Sequence, residues 1–202
     1  MTAFEVLDWR RRTTELYRAV RAAEDPADGH ALWVAGREDL LRHHPASPVP
    51  IGTRAGYPGA DVVAYDPAFR FVVAVDTGVE PERREIPTGT DGIVPMDRVG
   101  RVVLDGLGAL DLWWLGSYGG GLFLPVRDGD PSTYGGGRYV LDTTKGADLG
   151  GEPDALVVDL NFAFQPSCAY DEAWACPLPG PTNTLDRPVP VGERYRDLTE
   201  YS

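Results

Sequence analysis

The stretch Arg101-Val-Val-Leu-Asp-Gly-Leu-Gly-Ala-Leu-Asp-Leu-Trp-Trp-Leu115 reads as two β-strands joined by a tight turn. β-Branched, leucine and aromatic side chains fill Arg101–Leu104 and Ala109–Leu115, and such residues suit a pleated, half-buried surface. Between them stands Asp105-Gly106, a strong hairpin signal, because glycine supplies the positive φ that the favoured hairpin turns require. The same pattern extends in both directions. Upstream, strands are predicted over Asp61–Tyr65, Arg70–Asp76, Arg83–Pro87 and Gly92–Met96, with a second turn signal at Asp91-Gly92. Downstream they are predicted over Leu122–Val126, Arg138–Leu141, Leu156–Phe162 and, last and shortest, near Val189–Val191. Strands spaced about ten residues apart with no helix between them pair antiparallel, in a sandwich or a barrel.

Only the beginning of the chain departs from this pattern. From Phe4 to Ala23 the apolar residues Phe4, Leu7, Leu16, Tyr17 and Val20 recur at helical spacing among five arginines, and Asp25-Pro26 ends the run. A second helix is predicted from about Ala27 to Arg42, with Leu32, Trp33, Leu40 and Leu41 facing inward. Its exit, His43-His44-Pro45-Ala46-Ser47-Pro48, contains two prolines that forbid continuation. The expected architecture is mainly β (α+β): an antiparallel barrel or sandwich of about eight to ten strands with one or two N-terminal helices. It is read as a single domain over 1–202, with a helical segment 1–48 and a β-rich body 49–202. The proline-rich stretch 167–187 is expected to be a long ordered loop, and such loops are often functional.

Composition bounds the function. The chain has 202 residues, enough to bury a sizeable core without disulfides or a structural metal. Its net charge of −12 repels phosphate backbones and anionic bilayers, so neither nucleic acid nor a membrane is an expected partner. Met1-Thr-Ala-Phe-Glu5 lacks the basic start and apolar run of a secretory signal, and the expected location is cytoplasmic. A P-loop, an H-E-x-x-H zinc motif and a G-x-S-x-G nucleophile elbow are all missing; Gly116-Ser117-Tyr118-Gly119 does not supply the last.

Two segments hold residues suited to a site. In Asp128-Gly-Asp-Pro-Ser-Thr-Tyr-Gly-Gly-Gly-Arg-Tyr139, three glycines allow close backbone approach. Beside them Arg138 offers a guanidinium fork for a carboxylate or phosphate, flanked by Tyr134 and Tyr139. The alternative for Arg138 is an internal ion pair with Asp128 or Asp159. In Asp159-Leu-Asn-Phe-Ala-Phe-Gln-Pro-Ser-Cys-Ala-Tyr170, strand alternation places Asp159 and Asn161 on one face. There they either line a pocket with Tyr170 and Asn183 or form a satisfied internal network. Cys168 and Cys176 are separated by seven residues, a spacing that fits no common zinc site, so no metal or cofactor is expected. They read as buried reduced thiols, with a loop-stapling disulfide and a nucleophile as alternatives. His44, just past a helix, is either a capping or core residue or a proton carrier, and a charge held by the helix dipole would weaken it as a base and strengthen it as an anion contact.

With these segments in view the sequence resembles the DUF1684 family, a bacterial and archaeal group defined as a domain of unknown function. The resemblance rests on Leu40-Leu41-Arg42-His43-His44-Pro45-Ala46-Ser47-Pro48, Thr133-Tyr-Gly-Gly-Gly-Arg-Tyr139, Asp159-Leu-Asn-Phe-Ala163 and Pro166-Ser-Cys-Ala-Tyr170. It extends to Cys176-Pro-Leu-Pro179, Asn183 and Gly192-Glu193. It implies where a signature lies but no activity. Two readings follow. In one, the protein is a hydrolase or lyase acting on an anionic small molecule, with His44, Asp159 and Cys168 catalytic and Arg138, Tyr134, Tyr139, Asn161, Tyr170 and Asn183 binding the ligand. In the other, the same residues form a non-catalytic binding or structural site.

Overall fold

The computed structural model describes residues 1–88, 92–116, 118–152 and 155–198. Asp91 of the expected second turn and Ser117 lie outside them. Helix α1 (Ala3–Ala22) starts at a capping box: the Glu5 amide donates to the Thr2 hydroxyl, and the Thr2 amide donates back to the Glu5 carboxylate. Helix α2 (Pro26–His43) starts at Asp25, whose carboxylate accepts the Ala27 amide, and proline occupies its first turn. Gly36 lets the two helices touch, since a Cβ there would stand 2.6 Å from a Leu16 methyl. Leu32 is exposed rather than inward-facing, so Trp33, Leu40 and Leu41 carry the buried stripe of α2.

Among the described residues ten antiparallel strands follow: β1 (Asp61–Val62), β2 (Arg70–Ala74), β3 (Arg83–Thr88), β4 (Gly92–Leu104), β5 (Gly108–Leu115), β6 (Gly121–Val126), β7 (Arg138–Asp142), β8 (Gly151–Glu152), β9 (Ala155–Asp159) and β10 (Glu193–Arg194). They form a five-stranded meander β3-β4-β5-β6-β7, a three-stranded sheet β2-β9-β8 and the pair β1-β10. The arrangement is sandwich-like; no closed barrel forms among the described residues. The two larger sheets are stitched at Asp76–Arg101 and at Tyr139–Phe164.

The hairpin that opened the sequence reading forms as expected. Leu104 pairs with Gly108 across the Asp105-Gly106 turn, where Gly106 has φ +74°. Segments Gly92–Met96 and Arg101–Leu104 prove to be one strand of 13 residues, bent at a register shift between Arg98 and Gly100. Gly100 permits the bend: a Cβ there would meet Val75 at 2.5 Å, where the end of β2 crosses onto β4. The strand expected near Val189–Val191 forms instead at Glu193–Arg194, because the Val189 and Val191 carbonyls are taken by the Arg138 side chain. Likewise β9 stops at Asp159. Its carboxylate accepts the Asn161 amide and caps a 3-10 turn over Leu160–Phe162, so the expected alternation fails and Leu160, Asn161 and Phe162 are all buried.

The main core lies between the helices and the sheets, built from Tyr17, Val20 and Trp33 against Val102, Leu110, Leu124, Val140, Val158 and Phe162. On the opposite face of the meander, Met96, Trp113, Phe123 and Tyr139 make a second cluster against which Cys176 of the long loop packs. Buried Asp111 of β5 accepts from Arg101 at 2.7 Å and from Arg98 at 2.9 Å. Burial pushes its carboxyl up, but the hydrogen bonds from Arg101 and Arg98 outweigh that and hold it below the usual 3.8. A depressed folded value means that Asp111 stabilises the fold above the unfolded-state value of about 3.9 and loses that contribution as pH falls through the folded one. Urea unfolding of wild type and Asp111→Asn should therefore differ clearly at neutral pH, and the gap should close as the pH falls below about 4.

Candidate binding cleft

The residues singled out in the sequence are mostly internal, and the structure does not bring them to one place. Arg138, the first residue of β7, is completely buried; its Nη2 donates to Asp128 Oδ2 at 2.8 Å and to the Val189 carbonyl at 3.0 Å. Its Nη1 donates to the Val191 and Glu193 carbonyls. The partner is thus Asp128, not Asp159 and not a ligand. Gly137 serves the same packing: it has φ +86°, and a Cβ would strike Pro179 at 2.4 Å and the Val126 carbonyl at 2.7 Å.

Asp159 and Asn161 form a second closed network. Asn161 Nδ2 donates to the Asp66 carbonyl and to Asp159 Oδ1, both at 2.8 Å, while Asn161 Oδ1 accepts the Asp66 amide. Tyr65 donates to Asp159 Oδ2 at 3.2 Å, and His30 Nε2 meets the Asn161 carbonyl at 3.1 Å, which pins α2 to this turn. Burial raises the Asp159 carboxyl. Asn183 is a third internal anchor; it accepts the Trp113 indole N–H at 2.8 Å and donates to the carbonyls of Asp111 and Pro125. His44 is buried at the helix exit, where its Nδ1 accepts the Ala46 amide and its Nε2 donates to Asp8 at 3.1 Å. That pattern makes His44 a capping residue tied to α1. Cys168 sits on the far loop beside Tyr134, whose hydroxyl is 4.0 Å from the sulfur. His44, Asp159 and Cys168 therefore do not converge on a catalytic centre, since each is bound into its own local network.

Two expectations hold in part. The Gly135–Tyr139 turn and the Asp159–Tyr170 segment do lie side by side, with Tyr139 and Phe164 exchanging backbone hydrogen bonds of 2.8 and 2.9 Å. Where they meet the helices, a cleft of about 70 Å³ opens. Trp9, Thr13 and Tyr17 of α1, Trp33 and Arg37 of α2, Tyr139 and Asp142 of β7, Lys145, Phe164, Gln165 and Ser167 are among its walls. Of the predicted ligand contacts only Tyr139 lines it, and its hydroxyl is committed to the Pro177 carbonyl at 2.8 Å. Tyr170 lies behind the wall, donating to Glu193 and accepting from Arg37 at 3.0 Å.

Arg37 dominates the floor. It lies over the rings of Phe164 at 5.0 Å and Trp33 at 6.0 Å, and it pairs with buried Glu193 at 2.7 Å. Burial opposes its charge, but the Glu193 carboxylate more than offsets this and holds the guanidinium above its ordinary value. Burial likewise pushes the Tyr17 and Tyr170 hydroxyls up, so both remain neutral, Tyr17 accepting the Trp33 indole N–H at 3.1 Å and Tyr170 donating to Glu193. At the rim, Lys145 is half exposed and only loosely tied to Asp142, at 3.6 Å. The Gln165 side-chain amide donates to the Arg194 carbonyl, while its buried oxygen has no donor among the described residues. The sequence reading missed Trp33, Arg37, Lys145 and Gln165. Their one visible signal was the Trp33/Arg37 spacing of one helical turn, with Gly192-Glu193 as the distant partner.

Fold and cleft together define a β-rich, sandwich-like protein with two helices packed against it and an aromatic, charge-balanced crevice beneath them. Residues 55–194 match the model of DUF1684, described as a protein of unknown function, and the chain belongs to this family. Helices α1 and α2 and the Leu40–Pro48 turn precede the matched residues. The chain is similar to an uncharacterized protein of Haloarcula marismortui solved by solution NMR, with 30% identity, a TM-score of 0.57, and coverage of 80% of this chain and 89% of that one. Among curated proteins none matches. No helix among the described residues is long and apolar enough to cross a membrane.

Proposed function

We propose that this protein binds a short-chain carboxylate bearing a hydrogen-bond donor, such as a small hydroxy acid, in the cleft between the helices and β7, and that it does so without catalysing a reaction. The observation that carries this reading is Lys145. It stands half exposed on the rim of an aromatic crevice with its nearest carboxylate at 3.6 Å, so an entering anion can make the closer contact. Thr13 lines the cleft, and its hydroxyl donates to the Trp9 carbonyl at 2.9 Å, so its oxygen is left to accept, which favours a ligand that brings a donor. A cleft of about 70 Å³ has space for about five or six water-sized groups, which matches a ligand of similar heavy-atom count. The non-catalytic choice is supported by the two lining or underlying carboxylates being already engaged: Glu193 with Arg37, Tyr170 and the Gln165 backbone amide, Asp142 with the Thr144 hydroxyl. Cytoplasmic small acids are the natural source of such ligands.

Trp9 and Trp33 report the test directly through their fluorescence. Titration with a panel of two- to six-carbon acids, with and without a hydroxyl, should give a saturable change for at least one hydroxy acid. Lys145→Ala should weaken that binding by about tenfold or more, the loss of one charge-assisted hydrogen bond, at unchanged melting temperature. No saturable response from any acid, or equal affinity in Lys145→Ala, would overturn the proposal.

A further inference from the structure

Gln165 lines a second, smaller cavity besides the cleft. This one has a volume of about 10 Å³, and Tyr57, Asp61, Tyr170, Glu193 and Arg194 are among its other walls. Tyr57 belongs to the chain that follows α2. Its ring packs with Leu41 and Val49, Arg42 lies over that ring at 5.4 Å, and Arg42 Nη1 donates to the Tyr57 carbonyl at 2.8 Å. These contacts hold the ring and leave its hydroxyl unused. Tyr57 is 4% exposed and Gln165 6%. Both the Tyr57 hydroxyl and Gln165 Oε1 are buried without a hydrogen-bond partner among the described residues. The Gln165 amide cannot simply turn over to escape this, because its Nε2 donates to the Arg194 carbonyl at 2.8 Å. Burial and the Glu193 carboxylate push the Tyr57 hydroxyl up, so it keeps a hydrogen to give. One buried donor and one buried acceptor thus line the same small cavity, and each is costly to leave unmatched.

We infer that this cavity is a binding site for a single water molecule, which accepts the Tyr57 hydroxyl hydrogen and donates one of its own to Gln165 Oε1. Size sets the first limit: about 10 Å³ is the space of one water-sized group and no more. Charge sets the second. Glu193 is paired with Arg37 at 2.7 Å and Asp61 with Arg196 at 3.2 Å, so the carboxylates of the lining are already neutralised, and Arg194 stands beside them. A cation would find no free negative charge there, and an anion would face the lone pairs of Gln165. The occupant is therefore neutral, and it must both accept and donate, as water does. A bridge of this kind is nearly as good as a direct hydrogen bond. It would join the segment after α2 to the residue that separates the cavity from the cleft, and so fix Gln165 from behind. The inference stands apart from the proposed ligand, because it needs nothing bound in the cleft and does not use Lys145.

The test uses the full-length protein and the sign of one substitution. Tyr57→Phe removes the hydroxyl and keeps the packed ring. If that hydroxyl is unbonded, its loss should leave the melting temperature unchanged or raise it, since a buried orphan is removed. If water bridges it to Gln165, the melting temperature should fall by about 2–4 °C, the loss of one ordinary hydrogen bond in a chain of this size. Gln165→Met, apolar and of similar length, also loses the Arg194 contact and is read only through a cycle with Tyr57→Phe. In the Gln165→Met background, Tyr57→Phe should cost at most about half as much as in wild type, because the bridge is already gone. A high-resolution crystal structure of the wild type should show a solvent peak within about 3.2 Å of both atoms. Melts in potassium chloride and in ammonium chloride of equal ionic strength should coincide. Unchanged or raised stability in Tyr57→Phe, strictly additive losses, or no solvent peak between the two atoms would each overturn the inference. Stabilisation by ammonium alone that Tyr57→Phe abolishes would do so too, by giving the site to a cation.

Discussion

Replacing Arg138 by alanine should lower the stability of the protein by about 3–5 kcal/mol, the usual consequence of breaking a fully buried ion pair from one side. The loss is large because the Asp128 side chain is only 1% exposed and would keep its charge with no cation near it. The carbonyls of Val189, Val191 and Glu193 would lose their donor as well. For a chain of this size about 1 kcal/mol moves the melting temperature by about 2–4 °C, so a fall of about 6–20 °C is expected. Arg138→Lys should recover little, because one ammonium cannot span a carboxylate and three carbonyls that the planar fork reaches together. Thermal and urea unfolding measure both variants. A loss below about 1 kcal/mol for Arg138→Ala would show that the pair does not hold the β7 end to the C-terminal segment.

Arg138 also shows where the sequence was legible and where it was not. That a lone buried arginine needs an anionic partner follows from charge alone, and Asp128 was one of two partners open at that stage. Which carboxylate it meets depends on β7 turning back along β6, and no local pattern carries that. The hairpins were legible because alternation and a glycine with positive φ are local properties. The joining of Gly92–Met96 to Arg101–Leu104 was not, because the bend at Gly100 exists to admit Val75 from another sheet. The extension of β9 to Phe162 failed for a local reason that could have been weighed: aspartate at position 159 is a good cap for a turn, and it ends the strand. The cleft was least legible. Polar residues in a β-rich segment attracted notice, yet Asp159, Asn161 and Asn183 are there to satisfy backbone groups where loops cross the sheets. The cleft walls come from helix faces meeting β7, a tertiary event in which Trp33 and Arg37 look like ordinary helix residues.

The Arg37–Glu193 pair should give the second large effect, and it tests whether the cleft floor holds the helices to the body. The Glu193 side chain is 2% exposed and that of Arg37 12%, so neither charge has bulk water to fall back on. Removing Glu193 as alanine leaves Arg37 with only the Tyr170 hydroxyl at 3.0 Å, a long contact to the Gln165 carbonyl and two aromatic faces. Rings and a neutral hydroxyl do not replace a carboxylate, and Glu193→Ala should therefore cost about 3–5 kcal/mol. It also frees the Gln165 amide and the Tyr170 hydroxyl, which adds to the loss. Removing both charges at once with apolar residues of similar length, Arg37→Met with Glu193→Leu, leaves no unpaired ion and should recover most of that stability. A double-mutant cycle in urea, using Arg37→Met, Glu193→Leu and the pair, should give a coupling energy at the upper end of the usual ~0.5–3 kcal/mol range. Additive losses would mean that the two side chains act separately. In that case α2 would be held to the body by its apolar stripe, the His30 contact and the hydrogen bonds of Glu38 and Arg42 to Ala60 and Tyr57, and the cleft floor would contribute nothing to that hold.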